Sequence, residues 1–307
     1  MLPDRCRPAI LGGASLPPGR PVTLTRREAT SHTFAGMKTS IVIPVLNQLE
    51  YTMKCLASLE ANGTPGATVV IVDNGSTDGT AEFLAAEPNI AVIRNPENRG
   101  CAAAWNQGVR SSSSDWVLLM NNDVLVTDGW LPALVEFAQA HDLGIASPAI
   151  REGELNYDLA AYARQFTGEM RAVSRWGTAT GICFLVRRRV FEVIGLFDEQ
   201  FRVGQFEDAD FFLRARKAGF RLGTTGSSFI HHFGSVTQAA LRSASPRRPY
   251  EAENRAYFRK KWRLGWGRRR WLRLRTLVIS TRWRLLERWR HGHSLCEKWL
   301  AGQLRFY

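Results

Sequence analysis

The run Trp116-Val117-Leu118-Leu119-Met120 carries no polar residue, breaks at Asn121-Asn122-Asp123 and resumes as Val124-Leu125-Val126. A continuous apolar segment of strand length fits a strand covered on both faces, as in the middle of a mostly parallel α/β sheet. A carboxylate that ends such a strand stands where open α/β sheets bind their ligands. Hard cations take oxygen donors, and one or two carboxylates plus substrate phosphates make a usual Mg²⁺ site. Taken alone, the stretch reads first as a polar turn after a core strand, with Asp123 solvated, so its neighbours must decide.

The neighbours repeat the pattern. Ser40–Leu46 is a β-branched run with Pro44 near its end, where a missing N–H is tolerable. Asn47 is a candidate N-cap for a helix over 48–59. Thr68–Val72 forms a second buried strand that ends in Asp73-Asn74-Gly75-Ser76-Thr77-Asp78-Gly79 and opens a helix over 80–86. Asp73 can accept hydrogen bonds from a base N–H or a ribose hydroxyl, whereas Asp78 reads as a helix cap. A short strand at 90–93, an Ala-rich helix over 101–109 and a helix over 129–140 follow. Four βα units in a row predict a doubly wound, mostly parallel sheet with flanking helices. Neither a Gly-Lys-Ser/Thr phosphate loop nor a Gly-x-Gly-x-x-Gly fingerprint is present.

The second half is less regular. Residues 151–177 are polar and weakly periodic and read as an excursion or flexible loop. A strand over 181–186 and a short helix over 187–194 precede Gln205-Phe206-Glu207-Asp208-Ala209-Asp210, which opens a helix running to Ala218. Three acids at a helix start complement its dipole. Alternatively, one is held ionised to take a proton from an incoming hydroxyl. Phe229–Ser235 ends a strand with paired His231 and His232, where a histidine is a fair metal or phosphate ligand.

The net charge of +13 sits in the tails. Residues 260–307 balance to +12 and residues 1–36 to +3, which leaves −2 for 37–259. Five widely spaced cysteines suggest reduced thiols in a reducing compartment. No apolar stretch approaches the roughly 18 residues of a membrane span. Residues 1–36 read as a disordered leader without a secretion signal, with Met37 as a candidate natural start.

Taken in order, SIVIPVLNQ at 40–48, VIVDNGSTDGT at 70–80, NRGCAAAWNQGV at 98–109, LLMNNDV at 118–124, FEDADFFLRARKAGF at 206–220, HHFGSVT at 231–237 and the 254–262 segment resemble the family 2 glycosyltransferases of GT-A fold, especially their rhamnosyl- and galactofuranosyl-transferase-like branch. The resemblance spans 38–262 and implies a GT-A domain over 37–262 that binds a nucleotide-sugar donor. It implies an inverting transfer to a saccharide or lipid-linked saccharide hydroxyl, in cell-surface polysaccharide or glycolipid synthesis. Asp73 would bind the nucleoside, helped by Pro44, Asn98, Gly100, Asn106 and Asn122. Asp123, with His232 or second His231, would hold Mg²⁺ or Mn²⁺ against the diphosphate. Asp208 would be the base, with Glu207 and Asp210 orienting the acceptor or capping the helix. Asn121 replaces the first acid of the family's Asp-x-Asp motif, so the site carries less charge; this supports the alternative of a non-catalytic nucleotide-sugar- or membrane-binding relative. A nucleotidyltransferase would place a Gly- and Arg-rich loop after the first strand, where Asn47-Gln48-Leu49-Glu50 stands instead.

Residues 263–307 form a separate problem. Six of the ten tryptophans lie between Trp262 and Trp299, interleaved with arginine, and from Trp271 onward the apolar residues fall in a helical band. An amphipathic helix of tryptophan and arginine suits an anionic membrane surface. That predicts a cytoplasmic protein peripheral on the inner face of the membrane. Packing on the body or an oligomer contact ranks second, and nucleic acid is not expected because no binding motif accompanies the basic run.

Overall fold

A computed structural model describes residues 38–88, 90–234, 236–244 and 249–307. The expected leader at 1–36, Met37 and Ser235 lie outside the described residues. In chain order the elements are β1 (Thr39–Val45), α1 (Leu49–Asn62), β2 (Ala67–Asp73), α2 (Thr80–Ala85), β3 (Ala91–Arg94), α3 (Cys101–Arg110), β4 (Trp116–Met120), β5 (Val124–Val126), α4 (Trp130–Ala140) and β6 (Ile145–Glu152). They continue as α5 (Leu159–Met170), β7 (Ser174–Trp176), β8 (Cys183–Arg187), α6 (Arg188–Ile194), α7 (Glu207–Lys217), β9 (Leu222–His232), α8 (Val236–Ala244), α9 (Pro249–Lys261), α10 (Trp266–His291), β10 (Cys296–Leu300) and β11 (Gln303–Phe306).

The strands form one mixed, mostly parallel sheet in the order β11-β10-β6-β8-β4-β1-β2-β3, with β9 joined to β5, β6 and β7. The amino-terminal half is the expected parallel ladder β3-β2-β1-β4. The expected α/β architecture is borne out. β8 enters antiparallel beside β4 and sets Met120 opposite Cys183. This pairing brings the second half of the chain against the carboxyl end of β4, where the Asn121-Asn122-Asp123 turn begins.

Both faces of the β1–β4 centre are filled. Ile41, Ile43 and Leu118 pack on one side with Trp130 and Leu134, and Val42, Val117 and Leu119 on the other with Trp105. Fully burying such side chains contributes roughly 1.5–3 kcal/mol each. The small residues of α3 allow close approach: a Cβ added at Gly108 would lie 2.2 Å from Val42 Cγ1. All described cysteines are free thiols, and Cys6 lies outside the described residues.

Three expectations require correction. Residues 151–177 are not a loop, because Asp158 caps α5 by accepting from Ala161 N at 2.9 Å, and Ala163, Phe166 and Met170 bury one helical face. Asn47 is not the cap of α1. Its Oδ1 accepts from Thr77 N at 2.7 Å, while Asp78 Oδ2 accepts from Leu49 N at 3.1 Å and Oδ1 from Thr80 N at 3.2 Å. Asp78 thus serves the starts of both α1 and α2. The tail, expected to be helical throughout, is helical only to His291. Beyond it β10 pairs in parallel with β6 and turns back as β11, so the chain end completes the sheet edge.

Candidate active site

Several pieces of backbone meet at the carboxyl ends of β1 and β4. Pro44, Asn121, Asn122 and Asp123 come from those strand ends, Thr180 and Gly181 from the approach to β8, and Glu207 and Asp208 from the start of α7. Together they line a cavity of about 440 Å³. The start of α7 faces it because residues 202–206 approach in an unusual conformation: Val203, Gln205 and Phe206 have φ of 62°, 80° and 76°. Such left-handed backbone costs about 1–3 kcal/mol per residue outside glycine and collects at functional sites.

Asn74 supplies a link that the sequence did not single out. Its side chain donates to Asn98 Oδ1 at 2.9 Å and Gly100 O at 3.2 Å, and accepts from Asn95 Nδ2 at 3.0 Å and Arg99 N at 3.1 Å. The 95–100 loop is therefore ordered by one amide at the end of β2, and Asn74 and Asn98 both reach the cavity wall. Asp73 lies just beneath and does not line the cavity. It is fully buried, accepts from Ser76 N at 2.9 Å and approaches Arg94 at 3.6 Å, with Oδ2 left without a hydrogen bond.

Asp123 is buried beside His232. Its Oδ2 accepts from Val236 N at 3.3 Å, while Oδ1 lacks a hydrogen bond and stands 3.2 Å from His232 Nε2. On the other ring nitrogen, Glu152 lies 3.4 Å away. Burial opposes protonation of His232, but the facing carboxylates of Asp123 and Glu152 outweigh it and raise its pKa to about 9. His231 points elsewhere: its Nδ1 meets Tyr157 OH at 2.9 Å, and burial lowers its pKa to about 4. No group of three or more His, Cys, Asp or Glu side chains among the described residues is arranged to hold a metal ion. The orphaned oxygen of Asp123 nevertheless fits a one-carboxylate site completed by substrate phosphates.

Glu207 and Asp208 are neighbouring acids at the start of α7. Burial, then the neighbouring Asp208 charge, pushes Glu207 up to about 8, and burial also raises Asp208. The Cys101 thiol beside them is raised as well by burial and by both acids, so it is a neutral neighbour and not a nucleophile. Gly181 decides where Asp208 can sit, because a Cβ there would fall 1.9 Å from Asp208 Oδ2 and 2.6 Å from its Cγ. Gly181→Ala should accordingly lower kcat on the order of 10²-fold by displacing the carboxylate, while the melting temperature holds. Unchanged kcat in the folded variant would show that the carboxylate position is unimportant.

Two expected site residues are committed to other partners. Asn106 accepts from Phe197 N at 2.9 Å and donates to Phe197 O at 2.9 Å and Glu199 at 2.8 Å, which fixes the 197–199 loop without reaching the cavity. Asp210 is fully buried and bonded to Arg214 at 2.8 Å, Lys261 at 2.9 Å and Trp262 Nε1 at 2.9 Å. It welds α7 to α9 on the side away from the cavity lining. Gly100 acts through backbone: with φ 87°, it lets Val203 N come within 3.0 Å of where a Cβ would stand.

The site is thus built on a mixed sheet, with two acids opposing an Asn-Asn-Asp turn across one cavity. Residues 40–195 match the model of glycosyl transferase family 2, and the chain belongs to that family. It is 28% identical over 192 residues to the glycosyltransferase AglE of Haloferax volcanii, covering 60% of this chain and 62% of that protein. It is 30% identical over 211 residues to the succinoglycan biosynthesis protein ExoA of Rhizobium meliloti, covering 63% and 62%. The chain therefore spans less than two thirds of the length of these relatives. Among solved structures it superposes on GalNAc-T7 with UDP, GalNAc and Mn²⁺ (TM-score 0.53, 16% identity, 64% of this chain and 44% of that one). It also superposes on residues 1–349 of S. aureus TarS with UDP (TM-score 0.51, 18% identity, 64% and 60%). These likenesses establish the shared fold.

Proposed function

We propose that this chain is an inverting glycosyltransferase that moves a hexosyl or deoxyhexosyl unit from a nucleoside-diphosphate sugar to an acceptor hydroxyl. The observation that carries the reading is the meeting of the β1 and β4 strand ends with the Glu207–Asp208 pair around one cavity. Donor recognition falls to Pro44, Asn74, Asn98 and Asn122 at the wall, with Asp73 beneath them. Asn122 is held for this by its donation to Thr52 Oγ1 at 3.0 Å. Asp208 accepts the proton of the acceptor hydroxyl as that oxygen attacks the anomeric carbon from the face opposite the leaving diphosphate. A single displacement inverts the centre and needs no enzyme nucleophile. Burial and the Asp208 charge favour the protonated form of Glu207, which leaves Asp208 as the proton acceptor of the pair.

Mg²⁺ or Mn²⁺ would be held by Asp123, with His232 completing the protein's donor set once it has given up its proton, and would supply positive charge to the leaving diphosphate. The relative ExoA is named for succinoglycan synthesis, which supports a surface polysaccharide or glycolipid as product. The rhamnosyl- or galactofuranosyl-transferase-like branch remains our reading of the sequence motifs. No helix among the described residues is long and apolar enough to cross a membrane. The exposed face of α10 supports peripheral attachment to an anionic bilayer on its cytoplasmic side, where a lipid-linked acceptor would be met.

The test is calorimetry with a panel of nucleoside diphosphates and nucleotide sugars, with and without Mn²⁺. Metal-dependent binding of one nucleotide class is the expected result, and it names the donor. Absence of binding by the folded protein with metal present would overturn the reading. That outcome would favour the non-catalytic relative, which the neutral Asn121 also supports.

A further inference from the structure

Asn254 lies on α9, outside the cavity and outside the segment matched by the family model. It is 1% exposed, and a buried carboxamide must find partners for both its oxygen and its two N–H groups. All of those partners belong to one short stretch of backbone. Asn254 Oδ1 accepts from Arg202 N at 3.0 Å, while Nδ2 donates to Arg202 O at 2.9 Å, Gly204 O at 2.8 Å and Gln205 O at 3.3 Å. This is the stretch whose Val203, Gln205 and Phe206 hold left-handed backbone, an outlier for a β-branched residue such as Val203.

The opposite side of the same stretch is held by α3. Cys101 N donates to Val203 O at 2.9 Å, next to the close approach that Gly100 permits. Residues 202–206 are thus gripped from two directions and lead straight into Glu207 and Asp208. Unfavourable backbone persists only where its surroundings over-determine it. Without the carboxamide, the three carbonyls and the Arg202 amide would lose their buried partners, and the loop would relax toward ordinary φ.

We infer that Asn254 is a positioning residue for the transfer reaction: through its hydrogen bonds to Arg202, Gly204 and Gln205 it locks the strained 202–206 loop and thereby fixes the Asp208 carboxylate. It touches no reacting atom. The inference rests on the proposed role of Asp208, but the clamp itself can be tested without turnover.

Asn254→Asp is nearly isosteric, keeps the acceptor for Arg202 N and loses the donors to the three carbonyls; Asn254→Ala loses both. Hydrogen–deuterium exchange on the full chain should show faster exchange confined to 202–210 in both variants. With the nucleotide sugar that binds most tightly in the calorimetric panel, kcat should fall on the order of 10²-fold, a larger change than any in donor KM although Val203, Gly204 and Gln205 also line the cavity, as expected when a catalytic group is misplaced by about an ångström. Val203→Gly, which removes the need for a strained φ, should restore part of the kcat of Asn254→Ala relative to Val203→Gly alone. If Asn254→Ala does not fold, Asn254→Asp carries the comparison.

Unchanged exchange at 202–210 overturns the clamp, and so does faster exchange spread evenly over the sheet. Localised exchange with unchanged kcat overturns the positioning role. A wild-type protein that turns over no nucleotide sugar refutes the proposed function instead, and the exchange result still decides whether Asn254 holds the loop.

Discussion

Asp208→Asn should lower turnover by about 10²–10⁴-fold, the usual contribution of a positioned general base, while nucleotide affinity stays at the wild-type level. The amide is the same size as the carboxylate and fits the space that Gly181 leaves open, so the cavity wall is preserved. Only proton acceptance is lost. The pH dependence should agree. Burial holds the proton of Asp208 more tightly than water would, so kcat/KM rises with pH, with an acid limb above the range of a solvated aspartate. Stability should run the other way. Glu207 is raised to about 8 by burial and by Asp208, so the folded chain keeps a proton that the unfolded chain releases near pH 4.3. Its stabilising contribution is complete below that value and is lost as pH rises through about 8. Asp208→Asn removes the neighbouring charge, so the variant should melt higher than the wild type at pH 8. Wild-type turnover in the variant would remove Asp208 as the base.

The amino-terminal half was legible because its central strands β1, β2 and β4 are covered on both faces. Ile41–Ile43, Val70–Val72 and Val117–Leu119 give apolar runs that admit few alternatives, and turn residues mark every strand end. Asp123 stood out because it closes a core strand, whereas Asp208 was picked from three acids at a helix start only by the family resemblance. Their meeting could not be derived, since it depends on β8 running antiparallel beside β4. α5 was missed because the 151–177 stretch as a whole is polar and weakly periodic. Its Asp158 cap and the 163, 166, 170 spacing were the available signal. Asn106 was expected at the site from the resemblance and Asp210 as one of three clustered acids, but a buried polar side chain finds whatever partners the packing supplies. For Asn106 these are the Phe197 backbone and Glu199, and for Asp210 they are Arg214, Lys261 and Trp262. Asn74 and Asn254 lie in segments that carry the resemblance, but their roles were not legible, because each acts on backbone distant in sequence.

Replacing Trp271, Leu274, Val278, Leu285 and Trp289 together by glutamine should release the protein from anionic vesicles without unfolding it. α10 is pinned to the body along one line. Glu287 receives Arg175 Nε at 2.8 Å and Nη2 at 2.7 Å and also accepts from Leu295 N at 3.0 Å, while Trp283 lies beneath the Arg175 guanidinium at 5.3 Å. At the helical repeat the five chosen residues project from the other side. They are 58–79% exposed. Arg275 and Arg282 flank that strip on one edge, with Arg270, Arg284 and Arg288 on the other, so the face offers apolar depth between two cationic rims. This arrangement suits the headgroup boundary of an anionic bilayer. If each side chain loses about 1 kcal/mol, less than the 1.5–3 of complete burial, the five together cost roughly 5 kcal/mol, more than a thousandfold in partitioning. The arginines should add about 1 kcal/mol each near a charged surface, lost on neutral vesicles and weakened by salt. Truncation at residue 263 would confuse the result, because it removes the Glu287 partner of Arg175 and the β10 edge of the sheet. Sedimentation with phosphatidylglycerol–phosphatidylcholine vesicles, against phosphatidylcholine alone, reads the difference. Equal sedimentation of wild type and variant would refute the membrane face, and a wild-type dimer split by the same substitutions would assign it to a second copy of the chain.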